Sequence, residues 1–295
     1  MTNNQLRYVI SVAENGSFSG AAKKLFLTQP SLSNQIKALE EELGTPIFIR
    51  MHHELKLTEA GHDLVLYSKR ILNELDHLQS LMQSYSSFLK GSLTIGAFTN
   101  AGYLGLPQMV MDFQKLYPKI QIRLVMDRSS RLTELLMTQE IDVAFLSASE
   151  ATLRSGDLQY AQLDEEPFVA VVPKGHPLYD RSAIDSEALK KEKLILPTDD
   201  LYAHSLLVSA LSHDGEPPLL CGECSSTESC VQMVASGFGI AIVTAPVARQ
   251  LTNDRFRILP LIPTIRLKLY LAMLKTSCPG SIADEFFGFL QTRFR

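Results

Sequence analysis

FSGAAKKLFLTQPSLSNQIKALEEELGTPIF, residues 18–48, decides how this chain is read. The stretch predicts two short helices with a tight turn between them. The first covers Phe18–Leu25, and Ser17 is placed to cap it, since a side-chain oxygen there accepts an N–H that no helical carbonyl reaches. Thr28 opens the second. Pro30 falls in its first turn, where a missing N–H costs no helical bond. Leu32, Ile36, Leu39 and Leu43 recur at steps of four, three and four, one apolar stripe on a helix. Gly44 stands where a helix stop belongs. The other face carries Gln29, Ser33, Asn34 and Lys37, short polar groups and one cation suited to base edges and phosphate. Taken alone, such a face is equally well read as a solvated one.

Outward from this pair, Asn3–Glu14 is predicted as a first helix with Leu6, Val9, Ile10 and Ala13 on its buried side, broken at Asn15-Gly16. Three helices by residue 43 make a helix-turn-helix core. Residues 44–57 hold two apolar runs, Pro46–Ile49 and Leu55–Leu57, which read as the strands of a wing. Residues 1–39 carry four cations against Glu14 alone, whereas residues 40–87 carry four cations against eight acids. The positive field is therefore confined to the helix pair. Binding to nucleic acid should be salt-dependent with few phosphate contacts per subunit, so that two or more DNA-binding heads are needed.

Residues 20–48 also carry, in order, Ala21-Ala22, Leu25, Gln29-Pro30-Ser31, Leu32-Ser33, Gln35-Ile36, Leu39-Glu40, Leu43-Gly44 and Phe48, continued by Arg50 and Leu57-Thr58-Glu59-Ala60-Gly61. In these spacings the chain resembles the LysR-type transcriptional regulators. The expected DNA-binding set is Thr28, Gln29, Pro30, Ser31, Ser33, Asn34, Lys37 and Arg50, with Arg50 reaching the backbone of double-stranded DNA beside the groove. One departure stands out. The wing tip, usually rich in Arg and Lys in that family, reads Met51-His52-His53-Glu54. Protonation of His52 and His53 would strengthen DNA binding below about pH 6.5; neutral exposed histidines are the plainer reading, and an affinity flat between pH 6 and 8 would remove the idea.

Residues 58–89 form the expected linker helix. Ile71, Leu75, Leu78, Met82 and Tyr85 repeat at heptad spacing, extended backwards by Leu64, as in a helix that pairs with a second copy. From residue 92 the pattern changes to alternating strand and helix, with strands at Ser92–Phe98, Ile120–Val125 and Val143–Leu146 separated by helices at Pro107–Leu116 and Leu132–Thr138. That order predicts a parallel sheet covered on both faces. A second lobe follows, with strands at Phe168–Val172, Leu194–Leu196, Leu219–Cys224 and Ile240–Val243 and helices at Leu201–Leu211 and Ser229–Ala235. Leu267–Met273 is expected to return to the first lobe, and Ile282–Thr292 to be a terminal helix. The expected architecture is an N-terminal all-α winged helix-turn-helix (1–57), a linker helix (58–89) and a C-terminal α/β two-lobe effector domain of periplasmic-binding-protein-like shape (90–295; lobe I about 90–160 and 267–295, lobe II about 161–266).

Ligands of open parallel sheets bind beyond the carboxyl ends of the strands, where helix N-termini offer free N–H groups. Thr99 and Asn100, Ser129, Ser147, Thr198, Tyr202, Ser226 and Thr227 fall at such ends. They predict a small polar or carboxylate-bearing effector in the inter-lobe cleft, with Arg128 or Arg131 as a possible partner for a carboxylate. For any one of these serines a plain helix cap is the simpler reading. The family resemblance implies the same cleft for a small inducer, a homodimer through the linker helix, a homotetramer and a contact with RNA polymerase.

Composition agrees with a folded chain: 45% hydrophobic and 20% charged residues are ordinary for globular proteins. No apolar run spans a bilayer and no signal peptide is evident, so the expectation is a cytoplasmic protein without membrane contact. HExxH, G-x-S-x-G, phosphate-loop and dinucleotide-binding motifs are missing, so no enzyme, cofactor or metal is expected. Cys221, Cys224 and Cys230 read as packing thiols. The alternative is a redox switch, with Cys221 and Cys224 on opposite faces of one strand.

Overall fold

The computed structural model describes residues 1–51, 54–84, 91–154, 157–277 and 280–294, with backbone alone at 50–51, 54, 76–77 and 79–84. The chain divides into two units, Met1–Phe88 with Met137–Glu140 and Leu89–Leu136 with Ile141–Arg295.

In the first unit, α1 spans Asn3–Asn15, α2 Phe18–Lys24 and α3 Gln29–Leu43. Each start is capped. Thr2 and Gln5 form a reciprocal box, Ser17 accepts from the Gly20 N–H, and Thr28 accepts from the Ser31 N–H. These oxygens satisfy donors that a first turn leaves unpaired. Gly44 ends α3 at φ 70°, a left-handed conformation that a side chain would resist. Leu32, Ile36 and Leu39 are buried against Val9, Val12, Ala21, Ala22 and Ile47. Leu43, expected on the same stripe, is exposed; the cluster closes over Leu39 and Ile47 and leaves the last turn outside. The buried side of α1 also differs from expectation. Gln5, Leu6, Val9, Ser11 and Val12 are buried and Ile10 and Ala13 only half-buried, because the helix is turned toward its 5–9–12 row.

The wing pairs β1 (Phe48–Met51) with β2 (Glu54–Leu57), antiparallel, Phe48 opposite Leu57. Its base is tied to the recognition helix: Glu40 Oε1 on α3 accepts the N–H groups of Ile47 at 2.7 Å and Phe48 at 3.2 Å. Thr58 clamps the next element, donating to the Pro46 carbonyl at 2.8 Å and accepting from the Gly61 N–H at 2.8 Å. That element, α4, covers Glu59–Ser84. Gly61 is required there, since a Cβ would stand 2.2 Å from the Ile47 carbonyl oxygen. On α4, Ser68 and Leu72 are buried, whereas Tyr67, Ile71 and Leu78 are exposed. His52, His53 and Tyr85, and the side chains of Arg50 and Met82, lie outside the described residues. No helix among the described residues is long and apolar enough to cross a membrane.

The second unit runs β3 (Gly91–Ala97), a 3-10 turn (Thr99–Leu104), α5 (Leu106–Leu116), β4 (Ile120–Met126), α6 (Ser129–Met137), β5 (Val143–Ser147), α7 (Glu150–Arg154) and β6 (Leu158–Pro173). It continues with β7 (Ile184–Asp185), α8 (Ser186–Leu189), β8 (Leu194–Pro197), α9 (Leu201–Leu211), β9 (Leu220–Cys224), α10 (Thr227–Ala235) and β10 (Ile240–Thr244). α11 (Ala245–Gln250), β11 (Phe256–Ile262), β12 (Arg266–Leu274) and α12 (Ile282–Arg293) complete it.

Strand order is β4-β3-β5-β12-β6-β10-β8-β9. β3 is parallel to β4 and β5, and β8 is parallel to β9 and β10, giving each lobe a parallel core inside a mixed sheet. β12 returns antiparallel to β5, as expected. The two lobes share β6. Residues 158–167 of that strand pair with β12, and residues 168–173 pair with β10 and β11. The first part of β6, the whole of β11 and the short helices α7 and α11 were not expected from sequence. Gln162–Pro167 is too polar to read as a strand, and Pro260 interrupts β11 on paper although it sits opposite Val169 in the structure.

β9 also differs. Its register with β8 shifts where Leu194 faces Leu220 and Ile195 faces Gly222. The extra residue is Cys221, and the irregularity brings Cys221 and Cys224 against the same apolar cluster rather than to opposite faces.

Candidate functional site

Among the described residues, two polar surfaces bear on function. The first is the outer side of α3. Thr28, Gln29, Pro30, Ser31, Asn34 and Lys37 are exposed and Ser33 is half-buried, all opposite the buried stripe. The burial of Leu32, Ile36 and Leu39 fixes this orientation, because residues four and three apart share a face. Lys37 lies 3.6 Å from Glu41 one turn on, an exposed pair that leaves the ammonium accessible.

The second surface is the cleft between the lobes, which encloses a small cavity of about 30 Å³. Thr99, Asn100 and Thr227 line it, with Phe98, Phe168, Leu267 and Leu269 as apolar wall and Glu166, Asp199 and Asp200 as acids. The cleft polar groups are mutually bonded. Asn100 Nδ2 donates to Asp199 Oδ2 at 3.0 Å and to Thr227 Oγ1 at 2.9 Å, and Thr227 Oγ1 donates to Asp199 Oδ2 at 3.2 Å. Ser129 Oγ donates to Asp200 Oδ2 at 2.8 Å, and Ser147 Oγ donates to the same oxygen. Tyr103 donates its hydroxyl to Glu228. Asn100, Tyr103, Ser129 and Ser147 belong to the first lobe, and Asp199, Asp200, Thr227 and Glu228 to the second, so each of these contacts except Thr227–Asp199 joins the lobes.

Electrostatics in the cleft follow chiefly from burial. Burial pushes the Asp199 carboxyl above the usual carboxylate range; hydrogen bonds from Thr227 and Asn100 oppose this and the neighbouring Asp200 adds to it. Burial also raises Glu166, with Asp164 adding and Arg249 opposing. The Tyr202 hydroxyl is raised by burial and by Asp200. None of the described residues lining the cavity is cationic.

Comparison with known proteins completes the picture. Residues 86–295 match the family model described as the LysR substrate binding domain, and residues 3–62 match that of the bacterial regulatory helix-turn-helix protein, lysR family. The chain belongs to the LysR family of transcriptional regulators. A probable RuBisCO transcriptional regulator of Emiliania huxleyi is 30% identical over 82% of this chain and 78% of its own length. The HTH-type transcriptional regulator CbbR of Xanthobacter flavus is 28% identical over 90% and 80%. Among solved structures, full-length OxyR C199D from Pseudomonas aeruginosa superposes with a TM-score of 0.71 at 26% identity, covering 99% of this chain and 95% of that one. CbnR, a LysR family transcriptional regulator, gives 0.72 at 21% identity with full coverage of both chains, a likeness of fold.

This LysR-type regulator thus carries a helix-turn-helix for DNA and an effector-binding domain. Of the residues expected in the cleft, Thr99, Asn100 and Thr227 line the cavity and Ser129 and Ser147 bond to Asp200 beside it. Thr198, Tyr202 and Ser226 are not brought to it. The Thr198 N–H extends the β8–β9 pairing to the Cys224 carbonyl, Tyr202 packs on the core, and Ser226 caps α10. Arg131 pairs with Glu134 at 2.7 Å, Arg128 is exposed, and neither is among the described residues that line the cavity. The residues that sequence reasoning missed are Asp199, Asp200, Glu166 and Glu40. The Asp199-Asp200 pair directly before a helix was the available signal; in practice Asp200 Oδ1 caps α9 through the Ala203 N–H at 3.0 Å.

Proposed function

We propose that Thr28, Gln29, Pro30, Ser31, Ser33, Asn34 and Lys37 form the DNA-reading surface, with Arg50 on the adjoining phosphates, and that residues 1–57, 58–89 and 90–295 act as DNA-binding head, dimerising linker and effector domain. The observation that carries this reading is the exposed polar row of α3, set opposite a fully buried apolar one. Helix N-terminal residues of a helix-turn-helix reach base edges in the major groove, and a dimer reads half-sites about one turn, or roughly 34 Å, apart. The apolar Tyr67, Ile71 and Leu78, exposed on α4, support a homodimer along the linker. Effector domains then associate to a homotetramer, and the assembly contacts RNA polymerase.

A small polar effector in the inter-lobe cleft controls DNA binding by favouring one lobe arrangement over another, which it does only through different affinity for the two. A mixed apolar and polar cavity wall supports this. The test is a mobility shift of the full chain on a duplex of its own upstream region, repeated with metabolites that raise its melting midpoint. Binding to that duplex no tighter than to random DNA, or no metabolite altering the shift, contradicts the respective half of the reading.

A further inference from the structure

Ser129 opens α6, where the free N–H groups and dipole of a helix favour an anion. Ser147 ends β5 beside it, and its N–H donates to Ser129 Oγ at 3.0 Å, holding the two hydroxyls side by side at 3.1 Å. In this chain that seat is filled from within. Asp200 crosses from the other lobe, and its Oδ2 accepts from both hydroxyls while its Oδ1 caps α9. Ser129, Ser147 and Asp200 are 7%, 1% and 9% exposed, so water competes little for these bonds. A carboxylate gripped by hydroxyls of one lobe while anchored to a helix of the other is bound as a ligand would be, with the chain as its tether.

We propose that Asp200 is the resident ligand of the Ser129–Ser147 seat, an internal carboxylate that latches the two lobes and selects which effectors the cleft accepts. An external carboxylate reaches those hydroxyls only by displacing Asp200. A tether gives the resident group a local concentration on the order of millimolar, so a simple anion at lower concentration does not dislodge it. A competing effector must draw the rest of its affinity from the neighbouring cavity, whose wall includes the further acids Asp199 and Glu166. The regulatory meaning rests on the cleft being the effector site, but the occupied seat does not, and the two are tested apart.

Acetate is the probe, used on the full-length chain without DNA or effector. Asp200→Ala empties the seat and should lower the melting midpoint. Sodium acetate should then restore it in a saturable way, at a half-maximal concentration on the order of tenfold or more below that acting on wild type, with sodium chloride at equal ionic strength giving no such rise. Asp200→Asn keeps the seat physically filled and should show no acetate response beyond that of wild type. Adding Ser147→Ala to Asp200→Ala should abolish the response. Equal acetate responses in wild type and Asp200→Ala, or none in either, overturn the proposal. If Asp200→Ala is not recovered folded, refolding in acetate against chloride decides: recovery in acetate alone supports an emptied seat, and failure in both overturns it. Failure of every metabolite screen, by contrast, would leave these outcomes unchanged.

Discussion

The helix-turn-helix and the inter-lobe cleft treat their polar groups in opposite ways. On α3 the polar row faces outward, and Gln29, Ser31 and Asn34 are exposed. In the cleft, Asn100, Ser129, Ser147, Asp199, Asp200 and Thr227 bond to one another, five of them largely buried. A surface that meets a large charged duplex leaves its groups open, because phosphate contacts and base edges supply the partners on docking. A cleft for a small molecule cannot leave buried polar groups unpaired without a penalty of about 1–3 kcal/mol each. The comparison teaches that exposure marks the proposed DNA face, while internal pairing marks the cleft, and each surface fails differently when altered.

The largest effect expected is on the apolar side of α3. Ile36→Ala removes a side chain buried to 2% exposure and should cost about 2–5 kcal/mol of stability in a thermal or urea melt, whereas Asn34→Ala on the outer side should stay within about 0.5 kcal/mol. A similar cost at both positions would break the contrast between the faces. Gly61→Ala should also destabilise the first unit strongly, since its new Cβ would press on the Ile47 carbonyl.

In the cleft the effect is smaller and depends on pH. The folded-state pKa of Asp199 is raised, so its ionised form is disfavoured by folding. That penalty is fully present above the raised value and is relieved as pH falls through it toward that of the unfolded chain, about 3.9. Asp199→Asn should therefore raise the melting midpoint at pH 7, with the gain shrinking on acidification. A gain that grows toward low pH would contradict the assigned sign.

The smallest effect is expected at Asp112, a partly exposed carboxyl held down to about 2 by Arg293, then by Lys115 and Gln108. A depressed carboxylate contributes stability above the unfolded value and loses it as pH falls through about 2. Because the site is partly exposed, Arg293→Ala should lower the midpoint slightly at pH 7, and added salt should erase the difference.

The same contrast explains what could be read in advance. Caps at Ser17 and Thr28, the stop at Gly44 and the 4-3-4 stripe are local, so the three helices were legible to within a residue or two. The parallel strands of both lobes were legible because buried strands are continuous apolar runs. The crossing part of β6 was not, since Asp164, Glu165 and Glu166 obscure a strand whose pairing comes from β12, about a hundred residues on. Candidate hydroxyls at Thr99, Ser129 and Thr227 were legible from strand-end positions. Their partners Asp199 and Asp200 were not, because only the closed fold brings residue 200 to residues 129 and 147.

The central claim is that the outer face of α3 reads sequence, and Gln29→Ala tests it most directly. Affinity should be measured for the operator and for a random duplex of equal length at one fixed salt concentration. The account predicts a loss of about 1–3 kcal/mol on the operator, random-duplex affinity unchanged and an unaltered melting midpoint. An equal loss on both duplexes would contradict it.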